Sequence, residues 1–216
     1  MNTIYCISGL GADERAFAKL QINGFRLHLI PWVDPIKNEA IESYAARMSE
    51  QIKEDNPILM GLSFGGIMCI EIAKQRKVRQ IILISSVKTS AELPAWMKLV
   101  AKSKLNKIYP MKSYKITEPI QNYFLGASTK DEKDMANAYR QQAKMGYTNW
   151  AVNEVLNWKN EWTFPRCFHI HGTEDKIFPI KNIKANMIIE GGGHFMIMNK
   201  AAEVSDAIQM ALNSIC

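Results

Sequence analysis

The sequence lacks the features that define several large protein classes. Its 216 residues include four cysteines with no Cys-x-x-Cys pair, so neither a disulfide scaffold nor a zinc site is indicated. No apolar run approaches the roughly 20 residues of a membrane-spanning helix. The first eight residues lack the basic and apolar regions of a signal peptide. We therefore expect a one-domain cytoplasmic protein with reduced thiols and without stable membrane insertion.

Arginine is absent from the segment that carries the net charge. Residues 88–115 contain seven lysines and one acid, which accounts for the whole formal net charge of +6. Nucleic-acid binding favours arginine together with aromatic side chains, so no nucleic-acid partner is predicted. The lysines either attract an anionic substrate or form a solvated helix face. They are Lys88, Lys98, Lys102, Lys104, Lys107, Lys112 and Lys115.

Short apolar, β-branched runs alternate with helical patterns along most of the chain. This alternation predicts an α/β fold whose parallel sheet is covered by helices on both faces. Residues 87–160 interrupt it with helical patterns and no clear strand, so we expect a helical insertion between core segments 1–86 and 161–216, which form a single domain. The predicted strands are 3–8, 26–30, 57–61, 80–85, 166–171 and 185–190, and the predicted helices include 41–52, 64–75, 93–105, 131–145 and 200–214.

The sharpest local signal is a Gly-x-Ser-x-Gly pattern centred on Ser63. Gly61 and Gly65 flank this serine, which lies between a predicted strand and a predicted helix. A serine in this context occupies a sharp turn that lifts its hydroxyl clear of the sheet, and the glycines omit Cβ atoms that would collide. A phosphate-binding turn is the alternative, but neither Gly-Lys-Ser/Thr nor Gly-x-Gly-x-x-Gly is present. Ser63 is therefore the candidate nucleophile.

A serine hydroxyl needs a neighbouring base to attack a carbonyl at neutral pH. His194 follows the last predicted strand in a glycine-rich loop, at the same sheet edge as the serine turn, so it is the candidate base. His171, at the end of another strand, is its competitor. Asp175 is the candidate carboxylate that orients the imidazole, and Glu174 is the alternative.

These features resemble the α/β-hydrolase superfamily of esterases, lipases and related enzymes. The serine turn, the acidic loop followed by Pro179 and the Gly-His loop before the last helix carry the resemblance. It covers residues 3–86 and about 164–216. It implies a sheet of about six strands, all parallel, and a lid formed by the helical insertion.

The resemblance also implies an oxyanion hole. One backbone N–H would come from Phe64, directly after the candidate nucleophile, and the other from Leu10 in the loop after the first strand. That loop begins with Ser8 and Gly9, whereas many members of the superfamily begin it with His-Gly.

The function implied is hydrolysis of a small-molecule ester or thioester through an acyl-serine, with no metal or organic cofactor. Acyltransferase, lyase and C–C hydrolase reactions, or ligand binding without catalysis, are the alternatives on the same scaffold. We expect a monomer or small homo-oligomer. The residues expected to border the substrate pocket are Gly9, Trp96, Tyr123 and Phe124. The alternative is that these aromatic side chains only pack the insertion onto the core.

Overall fold

Six parallel strands form one sheet in the computed structural model, which describes residues 2–103 and 117–213. The spatial order is β2-β1-β3-β4-β5-β6, and each neighbouring pair is parallel. The α/β fold class and the six parallel strands expected from the sequence are confirmed. The strands are β1 (Asn2–Ile7), β2 (Phe25–Leu29), β3 (Ile58–Leu62), β4 (Gln80–Ile84), β5 (Cys167–Gly172) and β6 (Met187–Ile189).

The strand order reverses between β1 and β3. The chain leaves β1 towards β2 on one side, and it leaves β3 towards β4 on the other. Ile7 pairs with Gly61, so the two strands end at nearly the same level. Such a reversal opens a crevice at the carboxyl ends of the strands, where α/β proteins bind ligands. The loop with Leu10 and the turn with Ser63 flank this crevice.

Helices cover both faces of the sheet and form a separate apolar core with each. Helices α1, α2, α3 and α6 contribute to one core, and α7 and α8 contribute to the other. The buried apolar positions of α8 repeat at the spacing of an amphipathic helix, at 204, 207, 208, 211 and 212. The helices are α1 (Ile41–Ser49), α2 (Phe64–Gln75), α3 (Ala95–Ser103), α4 (Glu118–Leu125), α5 (Lys130–Gln142), α6 (Met145–Asn157), α7 (Met196–Asn199) and α8 (Ala201–Asn213).

The helix predicted over 131–145 is wrong at its end. Helix α5 ends at Gln142, Ala143 and Lys144 are extended, and α6 begins at Met145. Ala143 lies against the loop after β1, where an added Cβ at Gly11 would be 3.1 Å from the Ala143 Cβ. This tertiary contact accompanies the break, and a helical pattern within one segment cannot reveal it.

The segment between β4 and β5, residues 85–166, contains α3 to α6. No helix among residues 2–103 and 117–213 is both long and apolar enough to cross a membrane. Four of the clustered lysines lie outside the described residues: Lys104, Lys107, Lys112 and Lys115.

Candidate active site

Ser63 occupies a sharp turn between β3 and α2. Its backbone angles, φ 53° and ψ −117°, are unfavourable for a residue with a Cβ atom. The Ser63 N–H donates to the carbonyl of Ile84 at 2.9 Å. The Ser63 carbonyl accepts the Gly66 N–H at 2.9 Å and the Ser86 hydroxyl at 2.7 Å. These three hydrogen bonds hold the strained turn in place.

Helix α2 begins so close to β1 that its second residue has no room for a side chain. A Cβ on Gly65 would overlap the carbonyl oxygens of Ile7 and Ser8. We expect Gly65→Ala to lower the free energy of unfolding by about 1–3 kcal/mol, because α2 must move away from β1. Urea unfolding measures this change.

Gly146 provides the matched control. It is the second residue of α6, as Gly65 is of α2, and no atom lies within 4 Å of an added Cβ. Gly146→Ala should leave the stability unchanged or raise it by up to about 1 kcal/mol. Equal stabilities of the two variants would contradict the close approach of α2 to β1.

His194 reaches Ser63 from the loop between β6 and α7. Its Nε2 lies 2.9 Å from the Ser63 Oγ, and its Nδ1 lies 2.8 Å from the Asp175 Oδ2. Because the carboxylate accepts the Nδ1 proton, Nε2 presents its lone pair to the serine hydroxyl. The structure thus brings together the serine, histidine and aspartate predicted from the sequence, in the geometry that a general base requires.

The end of α4 contacts the histidine loop and hydrogen-bonds to it. The Phe195 N–H donates to the Leu125 carbonyl at 2.9 Å. Gly126 has a positive φ of 73°, and an added Cβ there would lie 3.3 Å from the Cα of Gly193. The segment between β4 and β5 therefore contacts the residue next to His194 directly. No motif in either segment indicates this contact.

Asp175 is the carboxylate that meets the imidazole. Its Oδ1 accepts the N–H groups of Ile177 and Phe178, both at 2.9 Å. Burial alone would raise the pKa of Asp175, but the charge and hydrogen bond of His194 leave it below its ordinary value. The alternative acid, Glu174, has an exposed side chain on the surface.

Phe64 and the loop that contains Leu10, from which the resemblance implies two backbone donors, both border the serine turn. Phe64 is the first residue of α2, so its N–H has no acceptor within the helix. An added Cβ on Gly9 would lie 3.6 Å from the Ser63 Cβ, which places the loop with Leu10 next to the serine. The Ala12 N–H donates to the Gly9 carbonyl at 3.0 Å and closes that loop into a turn.

Solved structures match this arrangement of elements over almost the whole chain, whereas no protein-family model and no curated protein matches the sequence. An esterase from Thermogutta terrifontis has a TM-score of 0.73 at 15% identity, covering 100% of this chain and 90% of its own. A meta-cleavage product hydrolase from Pseudomonas fluorescens has a TM-score of 0.70 at 14% identity, covering 100% and 92%. The chain has the α/β-hydrolase fold. An epoxide hydrolase from Bacillus megaterium also matches it, with a TM-score of 0.68 at 14% identity, covering 99% and 94%.

In this α/β-hydrolase fold, His171 lies behind the acid and not beside the serine. Its Nε2 donates to the Phe178 carbonyl at 2.8 Å and lies 3.5 Å from the Asp175 Oδ2. Burial lowers the pKa of His171 and outweighs the opposing effect of Asp175. A neutral His171 therefore supports the acidic loop, while the histidine that contacts Ser63 is His194.

A second buried histidine on β5 should make the protein sensitive to mild acid. His169 is fully buried, with its ring 5.2 Å from that of His171. Burial is the main cause that holds the pKa of His169 well below its ordinary value of 6.5, and the nearby charge of Lys88 acts in the same direction. Because the unfolded imidazole binds its proton at higher pH than the folded one, the unfolding free energy should fall as the pH drops below about 6.5.

His169→Phe should weaken this dependence, by at most about 1.4 kcal/mol per pH unit below pH 6.5. Phenylalanine has a similar ring and cannot titrate. Urea unfolding of both proteins at several pH values between 7 and 5 measures the two slopes. An unchanged slope in the variant would show that His169 is not the titrating group.

The aromatic residues expected at the pocket are partly exposed. Trp96 is 49% exposed, Tyr123 63% and Phe124 41%. Tyr123 and Phe124 line a groove of about 730 Å³ above the acidic loop, where the Lys176 Nζ lies 4.6 Å from the Tyr123 ring centre. Trp96 lies on α3.

An aromatic cluster that was not predicted from the sequence lies beside the serine turn. The Trp32 ring stacks on Phe64 with centroids 5.2 Å apart and planes at 14°, and Tyr147 and Trp150 pack around the pair. Trp32 follows the carboxyl end of β2, at the same sheet edge as Ser63. This position in the sequence was the signal that could have placed Trp32 near the site. No group of three or more His, Cys, Asp or Glu side chains in the described ranges is arranged to hold a metal ion.

Proposed function

We propose that the protein is a serine hydrolase that cleaves carboxylic esters or thioesters of small or medium acyl groups. One observation carries this proposal: a continuous chain of hydrogen bonds joins Ser63, His194 and Asp175, and the serine stands on a strained turn. Strain of about 1–3 kcal/mol is tolerated where it serves a site, here by presenting a hydroxyl to an imidazole. The structural similarity to an esterase agrees with the proposal.

The reaction proceeds in two halves. The Ser63 Oγ attacks the substrate carbonyl carbon and passes its proton to the Nε2 of His194, while the N–H groups of Leu10 and Phe64 bind the oxyanion. His194 then protonates the leaving oxygen or sulfur, and an acyl-serine remains. Next, His194 takes a proton from water, which attacks the acyl carbon. As the second tetrahedral intermediate collapses, the bond between the acyl carbon and the Ser63 Oγ breaks, His194 returns its proton to that oxygen, and the acid leaves, with Asp175 ionised throughout.

Residues 87–160 serve in this proposal as a lid over the core formed by 1–86 and 161–216. Two contacts support this role: Gly126 lies against Gly193 in the histidine loop, and Ala143 lies against Gly11 in the loop after β1. A lid in this position borders both the histidine loop and the loop after β1. The pocket residues proposed are Gly9, Trp96, Tyr123 and Phe124.

A fluorophosphonate probe tests the nucleophile, because it reacts with activated serines. The wild-type protein should gain one adduct on Ser63, located by peptide mass spectrometry, and Ser63→Ala should gain none. A parallel screen of p-nitrophenyl esters and acyl thioesters of graded chain length, with Ser63→Ala as the blank, identifies the acyl preference.

The two readouts separate the alternatives. A wild-type protein that neither reacts with the probe nor hydrolyses any ester or thioester would contradict the proposal. Labelling without hydrolysis would instead favour acyl transfer, lyase or C–C hydrolase chemistry, which the same arrangement of groups could serve.

A further inference from the structure

A buried hydroxyl sits where the loop after β1 begins. Ser8 is 1% exposed, and its Oγ donates to the Ala12 carbonyl at 2.6 Å. The same oxygen accepts the indole N–H of Trp32 at 3.0 Å. This serine is the residue that replaces the histidine expected from the resemblance. Its hydroxyl therefore closes the turn around Leu10 and ties that turn to the end of β2.

The indole ring of Trp32 extends this link to the serine turn. Trp32 stacks almost parallel on Phe64, with centroids 5.2 Å apart. The Tyr147 ring also packs against Trp32, with ring centroids 5.5 Å apart. One side-chain path thus runs from the loop that carries the Leu10 N–H to the residue that carries the Phe64 N–H.

We propose that Ser8 and Trp32 are positioning residues that set the distance between the two N–H groups of the oxyanion hole. The inference rests on the proposed function. Oxyanion donors act when they lie about 2.7–3.1 Å from the charged oxygen, and a misplacement of about 1 Å lowers the rate about 100-fold. One backbone hydrogen bond closes the Leu10 turn, from the Ala12 N–H to the Gly9 carbonyl. The hydrogen bond from the Ser8 hydroxyl to the Ala12 carbonyl is the second bond that closes it.

The test compares Ser8→Ala, Trp32→Phe and the double variant on p-nitrophenyl acetate. Ser8→Ala should lower kcat about 10- to 100-fold with KM changed less than about 3-fold, because the donors bind the oxyanion more strongly than the ground-state carbonyl. Trp32→Phe keeps a ring on Phe64 but removes the N–H, and should lower kcat about 3- to 10-fold. The double variant should lose little more than Ser8→Ala, because both changes act through one hydroxyl.

Ser205 provides a matched control on α8. It is 5% exposed, its Oγ donates to the Ala201 carbonyl at 2.6 Å, and it accepts the Gln21 N–H at 3.0 Å. Ser205→Ala therefore removes an equivalent pair of hydrogen bonds far from the site. It should lower thermal stability about as much as Ser8→Ala does, with kcat unchanged.

The affinity for a boronic acid distinguishes a positioning role of Ser8 from a merely structural one. Boron accepts the Ser63 Oγ, the serine proton passes to His194, and the resulting negative tetrahedral boronate places one oxygen in the oxyanion hole. Affinity for phenylboronic acid should fall in Ser8→Ala by about the same factor as kcat. The midpoint of the pH–rate profile should stay in place, because the pair of His194 and Asp175 is untouched.

Four results would overturn the inference while leaving the proposed function intact. They are an unchanged kcat in Ser8→Ala, a loss in Ser8→Ala carried by KM alone, an equal loss of kcat in Ser205→Ala, and fully additive losses in the double variant. By contrast, a wild-type protein that does not react with the fluorophosphonate overturns the proposed function, and the inference with it.

Discussion

Replacing Ser63 with alanine should lower kcat for ester hydrolysis by about a million-fold while leaving the protein folded. The variant lacks the oxygen that attacks the carbonyl, and water must then react without an acyl-serine. The fold should survive because the backbone bonds of the turn remain, including the one from the Ser63 N–H to the Ile84 carbonyl. Steady-state kinetics with the preferred ester and thermal unfolding measure the two effects.

Ser63→Gly sharpens this experiment. Glycine adopts positive φ without strain. The relief of about 1–3 kcal/mol equals or exceeds the entropic cost of glycine, about 1 kcal/mol. The glycine variant should therefore be as inactive as Ser63→Ala but unfold at an equal or higher temperature. Retention of wild-type turnover in either variant would remove Ser63 from the mechanism. Ser205→Ala, with its kcat unchanged, checks that loss of a buried serine hydroxyl does not by itself lower activity.

The parts of the site that sequence could predict are those fixed by local chain geometry and strand order. The glycines around Ser63 indicate the sharp serine turn because few other residues fit it. An added Cβ on Gly65, for example, would overlap backbone atoms at the end of β1 and in the loop after it. His194 and Asp175 follow strands of one parallel sheet, and parallel strands place such loops at a common edge. Sequence left Asp175 and Glu174 as alternatives, and the hydrogen bond to His194 distinguishes them geometrically.

The parts that sequence missed depend on contacts between distant segments. The link from Ser8 to Trp32 joins residues 24 positions apart in the chain, and nothing in either segment predicts it alone. The contact of Leu125 with Phe195 needs the end of α4 to meet the histidine loop. Helix α7 was not predicted because its four residues are too few to show a helical repeat.

Asp175→Asn should lower kcat by about ten thousand-fold with little change of shape. The N–H groups of Ile177 and Phe178 hold the oxygen of the new amide in the place of Oδ1, so the amide nitrogen must face His194. Two donors cannot share a hydrogen bond, so the imidazole must present an unprotonated Nδ1 and carry its proton on Nε2. That tautomer cannot accept the proton of Ser63.

Glu174→Gln is the control for Asp175→Asn because it removes one negative charge from the adjacent, exposed residue. It should keep kcat within about two-fold of wild type.

The pH dependence of stability gives a second test of Asp175. The folded pKa of Asp175 is lowered, so its ionisation stabilises the protein above its ordinary pKa of 3.8 and this contribution is lost as the pH falls below it. The stability gap between wild type and Asp175→Asn should therefore close in acid. An Asp175→Asn variant with wild-type kcat, or a gap that widens in acid, would show that this carboxylate does not orient His194.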